Sequence, residues 1–247
     1  MKKILITLLS LLIWHMSGIA AEAPLRVGIT HYSPPFVMQG ANQQVYGFDV
    51  ALMQQLCHTL QRTCQFKTMR FDQLIPAVKN NLIDAAVAAI TITPERSEII
   101  TFSKPYLISQ SQFLTNSELA AQPFGLQLLA NKTIGFEEGS VFAKQLNSMG
   151  IKNAKIVPFG TEEELVDALN QGTIDFALVD SASARYWQSD TNGILKAVGT
   201  PFDYGYGFGI ALNQKNPALI TSINQALDTY IKSDAYQKNY AMYLAVF

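Results

Sequence analysis

The chain has 247 residues, of which 49% are hydrophobic and 15% charged, and its formal net charge at pH 7 is −1. This balance argues against nucleic acid as a partner, because such binding relies on an excess of lysine and arginine. The length exceeds that of a usual compact domain, so we expect either one large sheet or two packed lobes.

The start of the chain has the pattern of a secretory signal peptide. Two lysines precede an apolar run over residues 4–13, and residues 17–21 are mostly small. We expect residues 1–21 to be removed on export to the periplasm; a retained membrane anchor is the alternative. The exported chain then keeps 16 basic and 19 acidic side chains.

Two similar successions of strands and helices follow. Apolar spacing predicts the order strand, helix, strand, helix, strand in both, which is an α/β pattern. In the first, the ranges are 25–30, 48–60, 64–69, 72–80 with Pro76 near its start, and 83–91. In the second, they are 133–136, a helix from Gly139-Ser140 to Met149, 154–159, a helix capped by Thr161 and Glu164, and 174–179.

The repetition extends to individual residues. Ala77 and Ile83-Asp84 have the same spacing as Ala168 and Ile174-Asp175, and both pairs lie 91 residues apart. This favours two similar α/β lobes over one continuous sheet.

The pattern of the chain after Gly199 predicts one strand and two helices, which are too few for a third domain. We therefore expect it to return to the first lobe, with crossings near 109–111 and 200–203. The predicted lobes are 22–110 with 202–247, and 111–201. Ligands of open α/β folds bind at the carboxyl ends of the strands, which predicts a cleft between the lobes and a hinge at the two crossings.

The two cysteines, Cys57 and Cys64, are expected to form a disulfide in an oxidising compartment. Free buried thiols are the alternative. A metal site lacks partners, because the exported chain has only His31 and His58 and neither forms a ligand-spaced cluster with the cysteines. We expect no cofactor.

Two charged residues follow strands at the predicted cleft. Arg96 lies on the loop after strand 83–91, where it could hold a carboxylate with two hydrogen bonds or simply be solvated. Asp180 follows strand 174–179, where it could pair with an ammonium group or cap the helix that starts at Ser181.

Three other residues are candidates for the cleft. Ser140 follows Gly139 at the start of a helix, where main-chain N–H groups favour an anion, although a serine there is equally a helix cap. Phe71 and Tyr32 lie on strand-to-helix loops and could stack on a planar or cationic group, or pack in the core.

Five short segments carry the most specific pattern in the chain. They are Ser33-Pro34-Pro35-Phe36, Gly47-Phe48-Asp49-Val50, Phe71-Asp72-Gln73-Leu74-Ile75-Pro76, Thr91-Ile92-Thr93-Pro94-Glu95-Arg96 and Phe102-Ser103-Lys104-Pro105-Tyr106. In this order they resemble the polar amino-acid-binding proteins of bacterial ABC importers. The resemblance implies a two-lobed periplasmic binding protein type II fold that captures a free amino acid and delivers it to an inner-membrane ABC permease. A monomer is the simplest expectation.

The resemblance also implies roles for single residues. Arg96 would hold the α-carboxylate of the ligand and Asp180 its α-amine, with Phe71 over the ligand side chain. Hydrogen-bond donors would come from the positions of Ala89, Thr91, Ser140 and Val141, where Ala89 and Val141 offer only main-chain groups.

The ligand side chain is less clearly specified. The spacing of the cysteines resembles the branch that binds lysine, arginine, ornithine or histidine, in which such a pair forms a disulfide. Relatives of that branch carry an acid at the position of Thr30 and a tyrosine at that of Ser33, with Tyr32 displaced by one place here. Thr91 resembles the glutamine-binding branch. We expect arginine, with Glu137 or Glu138 supplying the charge, and keep glutamine or another polar amino acid as the alternative.

Two other functions share this scaffold. Some similar two-lobed proteins are dehydratases, and His31 or Glu138 could then serve as the acid or base, but no complete catalytic set is legible. A sensor that reports to a membrane receptor would use the same binding site. We expect no enzymatic activity.

Overall fold

The computed structural model describes residues 23–246, so the predicted signal peptide lies outside the described residues. Within that range no helix is long and apolar enough to cross a membrane.

Strands and helices alternate through most of the chain. The strands are β1 (Leu25–Ile29), β2 (Met38–Gln39), β3 (Val45–Tyr46), β4 (Cys64–Thr68), β5 (Ala85–Ala86), β6 (Thr101–Phe102), β7 (Gln110–Asn116), β8 (Thr133–Glu137), β9 (Lys155–Phe159), β10 (Phe176–Asp180), β11 (Leu195–Asp203) and β12 (Ala211–Leu212). The helices are α1 (Phe48–Thr59), α2 (Phe71–Lys79), α3 (Pro94–Ser97), α4 (Ser117–Ala120), α5 (Leu126–Leu129), α6 (Phe142–Ser148), α7 (Glu162–Asn170), α8 (Ser181–Asp190), α9 (Pro217–Tyr230) and α10 (Asp234–Tyr243), with a short 3-10 turn at Ala41–Gln43.

The first sheet has the strand order β4-β1-β5-β12-β6. Strand β1 is parallel to β4 and β5, whereas β12 is antiparallel to β5 and β6. Helix α1 packs against α9 and α10, and α2 packs on β1, β5 and β12. We call this sheet and these helices lobe 1. Its late strand β12 shows that the chain leaves this lobe and later comes back to it.

The second sheet has the order β11-β7-β10-β8-β9 and is covered on both faces. Along β10, Phe176 and Leu178 belong to one apolar cluster, while Ala177 and Val179 belong to another. Successive side chains of a strand point to opposite faces, so an unbroken apolar strand requires cover on both sides. We call this sheet, with α6, α7 and α8, lobe 2.

The residue repeat seen in the sequence has a structural counterpart. Asp84 accepts a hydrogen bond from the main-chain N–H of Arg26 at 2.9 Å, and Asp175 accepts one from the N–H of Thr133 at 2.8 Å. In both lobes an aspartate at the turn into a central strand thus fastens the beginning of the neighbouring strand.

The predicted strand 83–91 is wrong in length. Only β5, two residues long, pairs as a strand, although the segment is buried as expected. Ala89 has a φ of +46°, which no strand residue adopts, and the chain turns there towards Thr91. Pro76 was expected near the start of its helix but lies inside α2.

The two crossings between the lobes are extended strands that pair with each other. Ser111 of β7 lies opposite Phe202 of β11, and Gln110 lies opposite Asp203, in antiparallel register. The two segments that were expected to cross between the lobes therefore lie side by side.

The predicted disulfide is present between Cys57 and Cys64, with an S–S distance of 1.98 Å and a sequence separation of 7. It joins the end of α1 to the first residue of β4, and so ties a helix to the edge strand of the first sheet.

Reducing this disulfide should lower the free energy of unfolding by about 2 to 3 kcal/mol, because the short loop it closes gains freedom mainly in the unfolded chain. Urea denaturation with and without reductant measures the change. In the double variant Cys57→Ala/Cys64→Ala, the reductant should have no further effect. An unchanged urea midpoint for the reduced wild-type protein would contradict the expectation.

Candidate functional site

A narrow cavity lies between the two lobes and is lined from both sides. Lobe 1 and its loops contribute Ser33, Phe71, Ala88, Ala89, Thr91 and Arg96, and lobe 2 contributes Glu137, Ser140, Val141, Phe142, Glu162, Leu165, Val179 and Asp180. Seven of the predicted site residues therefore meet here: Arg96, Asp180, Phe71, Thr91, Ala89, Ser140 and Val141.

A second, wider groove of about 710 Å³ runs along the hinge and includes Asp180, Arg185, Tyr206 and Tyr240. We place the functional site in the narrow cavity, because that is where buried charges of both signs converge from the two lobes.

Arg96 is held in place by the helix that carries it. Thr93 is the N-cap of α3, its hydroxyl accepting from the Arg96 main-chain N–H at 3.3 Å, and Pro94 occupies the first helical position. Serine or threonine at the cap followed by proline is a strong helix-start pattern. The local sequence therefore fixes where α3 begins, and with it the position of Arg96 in the helix.

The Arg96 guanidinium is buried and tied to both lobes. Its Nη1 donates to the carbonyl of Thr91 at 2.7 Å, its Nη2 donates to that of Gly139 at 2.9 Å, and its Cζ lies 5.5 Å from the centre of the Phe71 ring. Among the described residues it has no carboxylate within ion-pair distance, although arginine offers five N–H donors. Burial lowers its pKa to about 10, so it is still charged at neutral pH.

Asp180 does not cap the helix that follows it. It occupies the N-cap position of α8, but its side chain makes no capping hydrogen bond, which removes one of the two readings of this residue. Burial raises the pKa of Asp180 well above its usual value, Glu162 and Asp49 raise it further, and Arg96 lowers it. The carboxylate is therefore short of positive partners.

Two more acids face the cavity. Glu137 is 8% exposed and Glu162 is 5% exposed. Burial raises the pKa of Glu137 well above its usual value, and repulsion from Glu162 and Asp180 adds to this. Burial likewise raises the pKa of Glu162 to about 7. Three buried acids thus share the cavity with one arginine, and each holds its proton more firmly than a free carboxyl group does.

Ala89 cannot act as the predicted donor. Its main-chain N–H donates to Oδ2 of Asp49 at 2.6 Å, and the same oxygen accepts from the hydroxyl of Tyr106 at 3.0 Å. Asp49, buried at the start of α1, thereby fixes the turn at Ala89. Only the Ala89 carbonyl is left for a ligand.

The other predicted donors differ in which of their polar groups remain free of hydrogen bonds to described residues. The Ser140 hydroxyl donates to the carbonyl of Glu137 at 2.5 Å and accepts from the N–H of Phe142 at 3.3 Å, so it serves as a local cap. The Val141 N–H makes no hydrogen bond within residues 23–246. Thr91 is 4% exposed, and its carbonyl is occupied by Arg96.

Three predicted site residues do not line the cavity. Tyr32 packs edge-on against Trp187 with ring centres 6.0 Å apart, and its hydroxyl lies 3.0 Å from that of Tyr186. Thr30 is buried, and its hydroxyl has no partner in the described part of the chain. Glu138 is exposed and pairs with Arg70 at 2.6 Å.

Of the two acids expected to supply side-chain charge, Glu137 lines the cavity and Glu138 does not, because successive residues at the end of a strand point to opposite sides. The structure also adds Glu162, the first residue of α7, which was not among the predicted site residues. An acid in the first turn of a helix is common for electrostatic reasons alone, so no sequence signal marked it.

Residues 25–246 match the bacterial extracellular solute-binding proteins, family 3. The chain belongs to this family. This solute-binding protein is 34% identical, over 246 residues, to the putative ABC transporter arginine-binding protein 2 of Escherichia coli (strain K12), an alignment that covers 97% of this chain and 98% of the relative.

Solved structures confirm the two-lobed periplasmic binding protein fold. The arginine 3rd transport system periplasmic binding protein of Legionella pneumophila superimposes with a TM-score of 0.83 at 31% identity, covering 90% of this chain and 100% of that chain. The ancestral amino acid-binding protein AncCDT-1, a precursor of cyclohexadienyl dehydratase, gives a TM-score of 0.79 at 26% identity, with 90% and 95% covered.

The buried acids predict how the stability of the ligand-free protein depends on pH. A glutamate has a pKa of about 4.3 in an unfolded chain, whereas that of Glu162 is about 7 here. A raised pKa means that the folded state favours the proton. The contribution to stability is therefore complete below the unfolded pKa and is lost as the pH rises through 7.

We expect the melting temperature to fall between about pH 5 and about pH 8, and to fall less in Glu162→Gln. Differential scanning calorimetry measures both. Glu163→Gln, at the exposed neighbour, is the matched control and should keep most of the wild-type pH dependence, because Glu163 is the smallest of the causes that shift the pKa of Glu162. An identical pH dependence in Glu162→Gln and the wild-type protein would contradict the assignment.

Proposed function

We propose that this solute-binding protein is the substrate-binding component of an ABC importer and that its ligand is an amino acid with a cationic side chain, arginine above all. The observation that carries this proposal is Arg96: a buried guanidinium that lacks a carboxylate partner among the described residues and faces the acid Asp180 across a cavity. An isolated buried charge is unfavourable, and an incoming carboxylate would neutralise it.

The α-carboxylate would be held at one end of the cavity. Arg96 keeps N–H donors beyond the two that bind main-chain carbonyls, and planar pairing of a guanidinium with a carboxylate is strong and directional. The Val141 N–H is a further donor on the opposite wall. Phe71, whose ring lies under the guanidinium, would then pack against the ligand.

The α-amine would be held by Asp180. Its carboxyl group is not used as a helix cap, and burial together with the nearby acids Glu162 and Asp49 raises its pKa well above the usual value. A ligand ammonium group supplies the missing positive charge. The two charged ends of a zwitterion therefore match the two walls.

The side chain is proposed to be cationic because Glu137 and Glu162 add acid to the cavity and no described basic side chain besides Arg96 lines it. Two of the three proteins compared above, those of Escherichia coli and Legionella pneumophila, have arginine in their names, which supports arginine over glutamine.

Ligand capture would close the two lobes, which we assign to residues 22–110 with 202–247 and to residues 111–201. Several contacts already join the lobes in this conformation, including Ser183 to the carbonyl of Pro34 at 2.6 Å and Ser33 to Glu162 at 2.6 Å. We propose that the closed protein acts as a periplasmic monomer and docks on an inner-membrane permease.

An enzymatic function on this scaffold has one observation in its favour, namely the buried acids Glu137 and Glu162, whose raised pKa values suit a proton donor. The acid or base candidates predicted from the sequence do not line the cavity: His31 is exposed, and Glu138 is in a surface ion pair. Turnover of small carboxylate substrates would establish this alternative, and stable binding without turnover would exclude it.

The ligand can be identified by a thermal-shift panel of the twenty amino acids with ornithine and citrulline. A ligand that binds only the folded protein raises its melting temperature by mass action. Arginine should give the largest increase. A response to glutamine and not to arginine would overturn the proposed ligand class, and no response to any amino acid would overturn the function.

Replacing Arg96 with alanine should weaken arginine binding by about 100-fold or more, because the carboxylate then loses its charged partner in a buried site. Isothermal titration calorimetry measures the affinity, and circular dichroism checks the fold. Arg26→Ala is the matched control: Arg26 pairs with Asp84 on the same lobe, away from the cavity, so its loss should reduce stability and leave affinity within about threefold. Near-normal affinity of Arg96→Ala would contradict the model.

A further inference from the structure

Glu162 is the cavity acid that reaches the opposite lobe. Its Oε2 accepts from the hydroxyl of Ser33, which belongs to a loop of lobe 1, at 2.6 Å. Its Oε1 accepts from the indole N–H of Trp187, in its own lobe, at 2.8 Å. Both donors are neutral, so the carboxylate has hydrogen bonds but no counter-ion.

Glu162 contacts a part of the lobe 1 wall that has no acid of its own. Its partner Ser33 lies on the loop after β1, three residues beyond the buried Thr30, whose hydroxyl has no partner among the described residues. Among those residues no acid lines the cavity from lobe 1, and Arg96 is the charged residue that this wall contributes. Glu162 enters the same region from lobe 2 and brings a carboxylate to the wall that lacks one.

The other acids of the cavity are less suited to this role. Asp180 faces Arg96 and is assigned to the α-amine. Glu137 lines the cavity, but no hydrogen bond joins its side chain to a described residue of lobe 1. Among these three carboxylates, Glu162 is the one that accepts a hydrogen bond from a described side chain of lobe 1.

We propose, resting on the proposed function, that Glu162 is the specificity-determining residue that binds the cationic end of the ligand side chain. The Ser33 hydroxyl and the Trp187 N–H donate to its two oxygens in this structure. A guanidinium entering the cavity displaces the serine hydroxyl, because a charge-assisted hydrogen bond to a buried carboxylate is stronger than one from a neutral donor. The same acid thus joins the lobes when the site is empty and selects the ligand when it is filled.

The test compares arginine with citrulline, which has the same shape but a neutral urea group in place of the guanidinium. Affinities of both are measured by calorimetry for the wild-type protein and for Glu162→Gln. We expect the wild-type protein to prefer arginine by about 100-fold, and Glu162→Gln to lose about 30-fold or more for arginine but less than about threefold for citrulline.

Two further variants keep the test decisive. Glu163→Gln removes the same charge from the exposed neighbour and should leave both affinities unchanged. Glu162→Asp, which keeps the charge, covers the case in which the glutamine variant does not fold. Its carboxylate lies one methylene further from the opposite wall, so we expect arginine to weaken about tenfold and citrulline to change less than about threefold.

Equal losses for arginine and citrulline would overturn the proposal, because Glu162 would then only position the lobes. An unchanged preference for arginine in Glu162→Gln would overturn it as well, and would leave the proposed function intact provided that Arg96→Ala still weakens binding by about 100-fold or more. A wild-type protein that binds neither compound would instead overturn the proposed ligand class.

Discussion

A buried guanidinium without a carboxylate partner among the described residues is the feature on which the rest of the site depends. Arg96 is fixed by carbonyl groups of Thr91 and Gly139, one on each side of the cleft, and by the face of Phe71. Carbonyl dipoles lessen the cost of burying the charge but do not cancel it. The guanidinium can therefore still gain free energy by pairing with an anionic group, and it is positioned for this by residues of both walls.

The framework around Arg96 explains why it can be held so firmly. The turn that leads from β5 towards α3 is unusual, since Ala89 has a positive φ, and it is secured by Asp49 from the start of α1. Tyr106 shares the same carboxylate. A buried acid that binds a main-chain N–H stabilises a backbone conformation that local propensity would not select. Some residues of the five family-like segments therefore have a structural role: Asp49 fixes the turn at Ala89 but does not line the cavity.

The ionisable residues of the cavity are divided unequally between the two lobes. Lobe 1 presents Arg96, and lobe 2 presents Glu137, Glu162 and Asp180. Opposite charges on opposite walls favour approach, whereas the three acids repel one another unless a cation separates them. A zwitterion with a cationic side chain satisfies both conditions, and its differential affinity for the closed arrangement is what would drive the population towards it.

The sequence by itself determined the two successions of strands and helices and their repeated α/β unit, because these follow from apolar spacing and helix caps. It also favoured the disulfide, through two cysteines in an exported chain, and placed Arg96 and Asp180 at or beyond the ends of buried segments, although the strand before Arg96 is shorter than expected. Only the tertiary structure decided which side chains meet. Ser33 and Glu162 are 129 residues apart in the sequence, and their contact depends on how the two lobes face each other. The same reason explains why the Ala89 N–H is already bonded and why Tyr32 packs against Trp187 rather than lining the cavity. Spacing along a chain fixes local structure, whereas a site assembled from two lobes is fixed by their packing.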